Sequence, residues 1–424
     1  MILHIDLDCF FVSAERIGRP ELDNIPVAVG GRGDPFIFSK TPYKNKRTIL
    51  QNSGAFVPSL FSSNEDSSNR SYFVDDDDKI RGIVTTSSYE ARDKGVKTAM
   101  SIHEALRLCP KLVVIKPNHL LYHTLSHKMA KILSMEIPLI EQYSIDEFFC
   151  DVSGWIKDED VPSFIIYIKQ LIKDELSLPC SIGASHAKWI AKLATSYAKP
   201  YGTLCVAKNE TNTFASELSI SKFPGVGKAL NKKMYSYRIS TLKEARDSKQ
   251  LLYSWGRLGR DLHAKLVGTD GEGINLKGMR KSVGISRMMD PILNRDEVRR
   301  RIIVLARHLS HTITKLELLP TTFVCSVRFS YGVKSYKRVT HDRLFSEKFF
   351  TELMLELFDI IDNYKSLEVI RLAMNVSNFL DNKSKAPSLL YLEYDLKQRR
   401  LDSNVYKMRE KYGMDILRCG FEIA

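Results

Sequence analysis

The chain has 424 residues, enough for about two to four domains, and its 44% hydrophobic and 27% charged residues are typical of a globular protein. It has no apolar run of the roughly eighteen residues that a membrane helix requires, and its N-terminus carries two carboxylates without a basic region, so we expect neither a membrane span nor a signal peptide. The seven cysteines are scattered without a Cys-x-x-Cys pair, which argues against a disulfide scaffold and a structural zinc site.

The first half of the chain alternates strands and helices, which predicts an α/β domain made of residues 1–30 and 83–208. Strands are predicted at 2–8 and 27–29, a strand–turn–strand at 141–152, and helices at 119–136, 161–176 and 187–198. Residues 31–82 include a Ser- and Asn-rich piece and an acidic run. We expect them to be a loop-like insertion in which little packs.

The second half predicts further folding units. Residues 209–272 form short helices joined by glycines, and 273–282 form a linker rich in Gly and Lys. Residues 283–380 follow the order β-α-β-β-α-β, which predicts a small two-layer domain. The tail, 381–424, is predicted to be helical and charged.

The positive charge is concentrated in one part of the chain. The formal net charge is +13, from 63 Lys and Arg against 50 Asp and Glu. Residues 275–345 alone hold 15 basic and 5 acidic residues, a net charge of +10. This concentration predicts that the region binds a polyanion, with a merely solvated basic surface as the alternative.

Four acidic residues occupy positions where carboxylates carry chemistry. Asp6 and Asp8 lie two apart on a predicted strand, so both point to the same face. Asp146 and Glu147 are adjacent at a turn between apolar strands, where charged groups are costly unless they are paired or bind metal. Carboxylates that converge on one strand edge would bind two Mg²⁺ ions and neutralise a triphosphate. Each acid alone is also typical of a turn or a surface position.

Two groups of side chains suit a bound nucleotide. Tyr89 and Arg92 lie three apart in TTSSYEARDKGV, close to one helical turn, and could face one cleft with Lys199. Phe10 and Phe11 follow the first acidic pair, where a ring can stack under a sugar and exclude a 2′-hydroxyl. The alternatives are a surface Arg, a capping Lys and core aromatics.

The stretch FPGVGKAL (223–230) is a glycine-bounded turn into a helix. Such a turn exposes backbone N–H groups that can hold one DNA phosphate without reading sequence, as in a helix-hairpin-helix. An ordinary helix–helix turn is the alternative.

Taken together, these motifs closely resemble the Y-family, or translesion, DNA polymerases of the DinB and UmuC type (ImpB/MucB/SamB). The pairing of YEAR with SIDE at this separation is highly specific. The matching stretches occur in the family's order and cover residues 1–380 apart from the insertion: IDLDCFFVSAE, PVAVGG, SSYEARDKGVKTAMSIHEALRLCP, YSIDEFFCDVS, IGASHAKWIAKLATSYAKPYG, FPGVGKAL and KSVGIS.

The resemblance implies a multidomain protein of α/β and α+β parts with a right-handed polymerase fold. The palm and fingers would be 1–30 and 83–208, the helix-hairpin-helix thumb 209–272, and the DNA-binding little finger 283–380.

The resemblance also implies a role for each matching residue. Asp6, Asp146 and Glu147 match the catalytic metal ligands, with the Leu7 carbonyl as a further metal ligand and Asp8 in support. Nucleotide contacts fall on Phe10, Phe11 (the steric gate), Thr86, Tyr89, Arg92 and Lys199. DNA contacts fall on Gly225, Gly227, Lys228, Lys281, Ser282, Arg287 and Arg328.

The implied reaction is template-directed addition of dNTPs to a primer 3′ end by two-metal phosphoryl transfer, with low fidelity, lesion bypass and no proofreading. The implied cofactor is Mg²⁺ (two ions), which Mn²⁺ can replace. The implied partners are primer–template DNA and dNTP, and the protein would be a monomer or bound to accessory subunits. It would be cytoplasmic in a bacterium, which the lack of a Cys/His finger favours, and nuclear in a eukaryote.

Two features depart from the family's pattern. About fifty residues separate PVAVGG from the next strand, where the family has a short loop. The segment PSLLYLEYD (387–395) is a degenerate version, without the Gln, of the peptide that binds a sliding clamp, and a tail helix is the other interpretation.

Two other functions fit parts of the pattern. Another palm nucleotidyltransferase, such as a nucleotidyl cyclase, shares the acidic clusters but needs neither the glycine turn nor a basic C-terminal domain. A non-catalytic DNA-binding repair factor would keep the fold, but the intact acidic residues argue against it.

Overall fold

The computed structural model describes residues 1–34, 37–40, 47–48, 61–62, 72–74, 79–216, 218–267, 273–275, 280–380 and 389–422. The chain forms two compact units, one of residues 1–31 and 69–278 and the other of residues 32–68 and 279–424. None of the helices within these ranges is long and apolar enough to cross a membrane.

The strands of the described residues are β1 (Ile2–Leu7), β2 (Val27–Gly31), β3 (Arg47–Thr48), β4 (Phe61–Ser62), β5 (Ile83–Ser87), β6 (Val113–Ile115), β7 (Leu139–Gln142), β8 (Glu147–Asp151), β9 (Cys180–Ser185), β10 (Thr203–Cys205), β11 (Ser282–Ile292), β12 (Pro320–Phe329), β13 (Lys334–Thr340) and β14 (Val369–Phe379). The α-helices are α1 (Phe10–Arg16), α2 (Tyr89–Arg92), α3 (Ile102–Leu108), α4 (His119–Glu136), α5 (Val161–Leu176), α6 (Lys188–Ala198), α7 (Thr211–Ser216), α8 (Lys228–Ser236), α9 (Leu242–Asp247), α10 (Lys249–Ser254), α11 (Arg257–Val267), α12 (Arg295–Lys315), α13 (Glu347–Ile361) and α14 (Leu392–Tyr412).

A five-stranded sheet with the order β10-β9-β1-β8-β7 forms the centre of the first unit. The central strand, β1, is antiparallel to both β8 and β9. Leu3 and Ile5 are buried in a core shared with α4 and α5. Because side chains alternate along a strand, His4 and Asp6 point to the opposite face, where the His4 ring bonds to Thr195 of α6.

Two smaller layers complete the first unit. A three-stranded sheet, β5-β2-β6, packs with α2 and α3 around Val84, Ala91 and Ala105. Helices α8 to α11 enclose a separate core that includes Phe223, Met234 and Leu252. These helices lie within residues 209–272, where the sequence predicts short helices joined by glycines.

The second unit contains the antiparallel sheet β11-β14-β12-β13. Helices α12 and α13 cover one face of it, with Phe323, Phe350 and Leu372 in the core between the layers. The element order is the predicted β-α-β-β-α-β. The tail continues as a 3₁₀ turn at Leu389–Tyr391 followed by α14, which is the tail-helix interpretation of this segment.

The expectation that little of residues 31–82 packs is wrong at both ends of the segment. Ile37 is 4% exposed and lies in the core of the second unit. Phe73 is also 4% exposed, and its ring approaches Gly30 and Gly82 so closely that a Cβ at Gly30 would stand 2.5 Å from it. Much of the Ser- and Asn-rich piece and all of the acidic run 75–78 lie outside the described residues.

Candidate active site

Three carboxylates that were predicted to act together, Asp6, Asp146 and Glu147, lie at one end of the inner strands β1 and β8 of the five-stranded sheet. We call this group the carboxylate edge. Asp6 is directly opposite Glu147 in the antiparallel pairing of β1 with β8, so their side chains share a face. Asp146 precedes β8 in the turn after β7. Its carbonyl accepts a hydrogen bond of 3.1 Å from the Leu7 amide, which fixes this turn against the end of β1.

Each of these carboxylates has a partner of its own. Lys199 Nζ lies 2.6 Å from Asp6 Oδ1, and Lys192 Nζ lies 2.5 Å from Glu147 Oε1. Ser144 Oγ donates to Asp146 Oδ1 at 2.5 Å. Two lysines therefore balance part of the negative charge gathered at this edge.

The electrostatics of the edge favour a bound cation. Burial, together with the charges of Asp146 and Glu147, raises the pKa of Asp6 to about 7 despite the opposing effect of Lys199. Burial also raises the pKa of Asp146. An oxygen-ligating divalent ion would stabilise all three carboxylates in their charged form. Within the described ranges, no three or more acidic, His or Cys side chains already form a metal-binding cluster. The partners of these three carboxylates are Lys199, Lys192 and Ser144.

Asp8 differs from the other acids because it is fully enclosed. Its two carboxylate oxygens accept hydrogen bonds from the Tyr89 hydroxyl at 2.8 Å, the Ser181 hydroxyl at 2.8 Å and the Tyr201 amide at 3.1 Å. With 0% exposure and three donors, Asp8 acts as a structural anchor that joins α2 to β9 and the turn after α6.

Of the predicted triphosphate residues, Tyr89 contacts Asp8 directly. The Arg92 guanidinium packs over the Tyr89 ring at 5.0 Å, and its Nε donates to the Ser87 carbonyl. Thr86, on β5, is half-buried. The Tyr89 hydroxyl is already hydrogen-bonded to Asp8. Arg92 and Lys199 are the two cations of the predicted set.

Of the two aromatics after the first acidic pair, only Phe11 is partly exposed. Phe10 is 2% exposed and packs edge-on to Tyr122. Phe11 stacks on Tyr122 with ring centroids 4.3 Å apart, and His119 meets it edge-on. Phe10 therefore belongs to the core, whereas Phe11 covers a buried aromatic cluster.

Two lysines near the carboxylates, Lys192 and Lys188, were not predicted as site residues. Lys192 contacts Glu147, and Lys188 pairs with Glu141 at 2.7 Å. The available signal was spacing, since Lys192 precedes Lys199 by seven residues, two helical turns.

The turn at 223–230 has the predicted exposed backbone. Phe223 and Val226 are buried, whereas Gly225, Gly227 and Lys228 are exposed. Gly225 has φ +96°, a conformation that favours glycine, and Gly227 is the N-cap of α8.

The second unit presents a row of cations on the sheet face away from α12 and α13. Arg328 on β12 is paired directly with Arg371 on β14 and with Lys334 on β13. Like charges opposite each other destabilise a sheet, so this row suits a polyanion. Lys281 and Ser282 are exposed at the start of β11.

Arg287 does not join this row. It is paired with Leu372, whose side chain is in the core, so Arg287 lies on the opposite face of the sheet from Arg371. Arg287 lies near Gly33, where a Cβ would stand 3.3 Å from the guanidinium.

Comparison with known proteins identifies the family. The model of the impB/mucB/samB family matches residues 5–196. A protein named DNA polymerase IV from Lactococcus lactis subsp. cremoris (strain SK11) is 30% identical over 384 residues, which are 89% of this chain and 94% of the relative. The chain belongs to the impB/mucB/samB family. DNA polymerase IV of Staphylococcus epidermidis (strain ATCC 12228 / FDA PCI 1200) is 29% identical over 87% of this chain and 91% of its own.

Solved structures share the fold of this impB/mucB/samB protein. A Y-family DNA polymerase chimera of Dbh and Dpo4 superposes with a TM-score of 0.70 at 20% identity, covering 90% of this chain and 99% of the other. The insertion ternary complex of Dbh DNA polymerase gives 0.56 at 19% identity and the same coverage. The predicted family and the right-hand polymerase fold are thus confirmed, whereas the assignment of palm, fingers, thumb and little finger to residue ranges stays a prediction.

Proposed function

We propose that this chain, which is a DNA-directed DNA polymerase of the translesion class by its family, uses Asp6, Asp146 and Glu147 to extend a primer 3′ end on a template. The proposal rests on one observation: Asp6 is paired with Glu147 across β1 and β8, next to Asp146, and Lys199 Nζ lies 2.6 Å from Asp6 Oδ1. A buried carboxylate group of this kind, next to cations that can meet phosphate, suits phosphoryl transfer.

We propose that the edge holds two Mg²⁺ ions, which Mn²⁺ can replace, through Asp6, Asp146, Glu147 and the Leu7 carbonyl. The donor set fits, because the ligands are hard oxygens and because burial penalises the charges that a cation would neutralise. When bound, such ions would lower the pKa of the primer 3′-hydroxyl and neutralise charge on the triphosphate.

The two lysines then act as exchangeable partners. Lys199 and Lys192 stabilise Asp6 and Glu147 when no cation is near. With a divalent ion bound to these carboxylates, Lys199 would be free to contact the triphosphate, and Arg92 of α2 would supply a second cation. Asp8 stays hydrogen-bonded throughout, which keeps the end of β1 in place.

The reaction forms a bond between the primer 3′-oxygen and the α-phosphorus and breaks the bond from that phosphorus to pyrophosphate. The 3′-hydroxyl proton leaves to solvent. Positioning and charge neutralisation supply the rate enhancement, since the residues of the edge form no covalent intermediate in this scheme.

DNA would contact two surfaces. The cation row of Arg328, Arg371 and Lys334 would hold the phosphate backbone, and the turn with Gly225 and Gly227 would bind a further phosphate through backbone N–H groups. Arg287 is not part of this interface, because it lies on the face covered by helices. We propose a bacterial cytoplasmic location, because the relatives are bacterial. We also propose that a sliding clamp would bind the degenerate tail peptide at 387–395.

Primer extension with single dNTPs tests the proposal. An undamaged and an abasic template are each incubated with Mg²⁺ and one dNTP at a time, after chelation of carried-over metal. The proposal expects templated addition opposite each base and continued synthesis past the abasic site. Extension that ignores the template would favour another nucleotidyltransferase, and tight DNA binding without extension would favour a non-catalytic repair factor.

A further inference from the structure

The start of the insertion packs into the core of the second unit, and we propose that this contact makes the insertion a connection that holds the first and second units together in addition to the linker. β2 ends at Gly31 in a sheet of the first unit, whereas residues 32–40 belong to the second unit. By Phe73, which packs near Gly30, the chain is again in the first unit. The chain therefore runs from the first unit to the second and back again within the insertion, and it crosses to the second unit once more at the linker.

The docking contact has an apolar part. Ile37 is 4% exposed within the core cluster that contains Val298, Ile302 and Phe349. Phe38 packs against the same cluster, and the Arg301 guanidinium covers its ring at 4.6 Å. Ile37 is thus part of the core of the second unit although it lies far from the rest of it in the sequence.

The polar part of the contact uses arginines that donate to backbone carbonyls of the insertion. Arg300 Nη2 donates to the Phe38 carbonyl at 2.9 Å. Arg418 Nη1 donates to the carbonyls of Ser39 at 3.0 Å and Lys40 at 2.9 Å. Both arginine side chains are less than 10% exposed, and their bonds to Phe38 and Ser39 are partly buried, whereas the bond to Lys40 lies at the surface.

The C-terminal tail takes part in the same contact. Arg300 also donates to the Glu422 carbonyl, so one guanidinium joins the insertion to the end of the tail. Buried Arg307 of α12 pairs with Glu422 and Asp415, and Arg418 pairs with Asp415. The tail residues around 414–422 are therefore placed to clip the insertion onto α12.

This arrangement has a consequence for a chain that is cut in the linker. A second connection keeps two units at high effective concentration after the first one is lost. The N-terminal piece would keep its insertion seated in the core of the C-terminal piece. The pieces would then stay together without any covalent link at 276–279.

A cleavage experiment on the full chain tests the proposal. Residues 276–279 are replaced by a protease recognition sequence, and a tag is placed at the C-terminus. The purified, nuclease-treated protein is cleaved, captured by the tag and washed at high salt, and the recovered N-terminal piece is quantified. Polymerase activity does not enter the readout, so the result stands whether or not the proposed function holds.

Matched variants identify the contact that holds the pieces. Ile37→Asp places a charge in the core, and Arg418→Ala removes two carbonyl contacts without changing the core. Leu293→Asp adds the same charge at an exposed leucine of the second unit, and Arg299→Ala removes a half-exposed arginine of α12 that pairs with Asp359 rather than with the insertion. Circular dichroism before cleavage checks that each variant is folded, and Arg418→Ala decides the outcome if Ile37→Asp is not.

The proposal expects equimolar recovery of both pieces from the wild type and from the two controls. It expects about tenfold less N-terminal piece from Ile37→Asp and from Arg418→Ala. Separation of the wild-type pieces would overturn it. Full retention in a folded Arg418→Ala protein would overturn it as well.

Discussion

The ring of Phe11 stacks on the ring of Tyr122, with centroids 4.3 Å apart and planes 12° from parallel. Tyr122 is fully buried, and its hydroxyl donates to Glu15 Oε1 at 2.7 Å. Glu15 Oε2 in turn accepts from Arg19 at 3.0 Å. Glu15 follows Phe11 by four residues on α1, so the stack and the hydrogen bond join α1 to α4 at two successive turns. The orientation of Phe11 is thereby fixed by buried contacts.

Replacing Phe11 is expected to relax sugar discrimination. If Phe11 is the predicted steric gate, Phe11→Ala opens space beside the nucleotide sugar, and the preference for dATP over rATP, measured as a ratio of kcat/KM, should fall by about a hundredfold or more. Ile17→Ala, at the exposed end of the same helix, should leave the ratio unchanged. An unaltered ratio in Phe11→Ala would reject Phe11 as the gate.

Removing the Tyr122 hydroxyl is expected to destabilise the fold. Tyr122→Phe leaves the buried Glu15 carboxylate without one of its donors, which should lower the free energy of unfolding by about 1–3 kcal/mol in a denaturant titration. In the control Tyr167→Phe, the lost hydroxyl bond to Glu136 is at the surface, and no measurable change is expected. Equal stability of Tyr122→Phe and wild type would contradict this account of the cluster.

Lys199 is expected to act mainly on nucleotide binding. Lys199→Ala removes both the partner of Asp6 and a candidate triphosphate contact, so kcat/KM for dNTP should fall by about ten- to a hundredfold, with a raised KM. Lys173→Ala, an exposed lysine of α5, is the matched control. Single-nucleotide incorporation kinetics give both parameters, and an unchanged KM would remove Lys199 from the triphosphate site.

The cation row should appear in the salt dependence of DNA binding. Arg328→Ala and Arg371→Ala should each weaken primer–template binding at every sequence and reduce the slope of log K against log salt by about one. Arg287→Ala removes the same charge from the opposite face, so its slope should match that of the wild type. A slope change in Arg287→Ala alone would place the DNA on the other side of the sheet.

Local signals in the sequence were sufficient for many of the elements. Helix α5 begins and ends at the predicted residues because Pro162 suits a helix start and Ser177 adopts a left-handed conformation at the end. Asp146 and Glu147 could be predicted as site residues because charged groups at a turn between apolar strands are costly unless they are paired or bind metal. Strand alternation also places Arg287 in phase with Val283, so the face on which Arg287 lies could be predicted from the sequence.

Other parts depend on contacts between residues that are distant in the sequence. Ile37 and Phe38 lie in a stretch without periodicity, and only the packing of α12 and the tail gives them a core position. Spacing places Lys192 on the same helix face as Lys199, but its pairing with Glu147 also needs α6 to pack on β9 and β1, which no local pattern specifies.

Single-turnover incorporation by Asp146→Asn is the most direct test of the carboxylate edge. The substitution preserves side-chain size while removing one charge, so primer–template affinity should stay within about threefold of wild type and the incorporation rate should fall by about a thousandfold or more. The same protein preparation supplies both numbers, from a DNA titration and from rapid quench. A rate near that of wild type, with intact DNA binding, would contradict the assignment of Asp6, Asp146 and Glu147 as the catalytic centre.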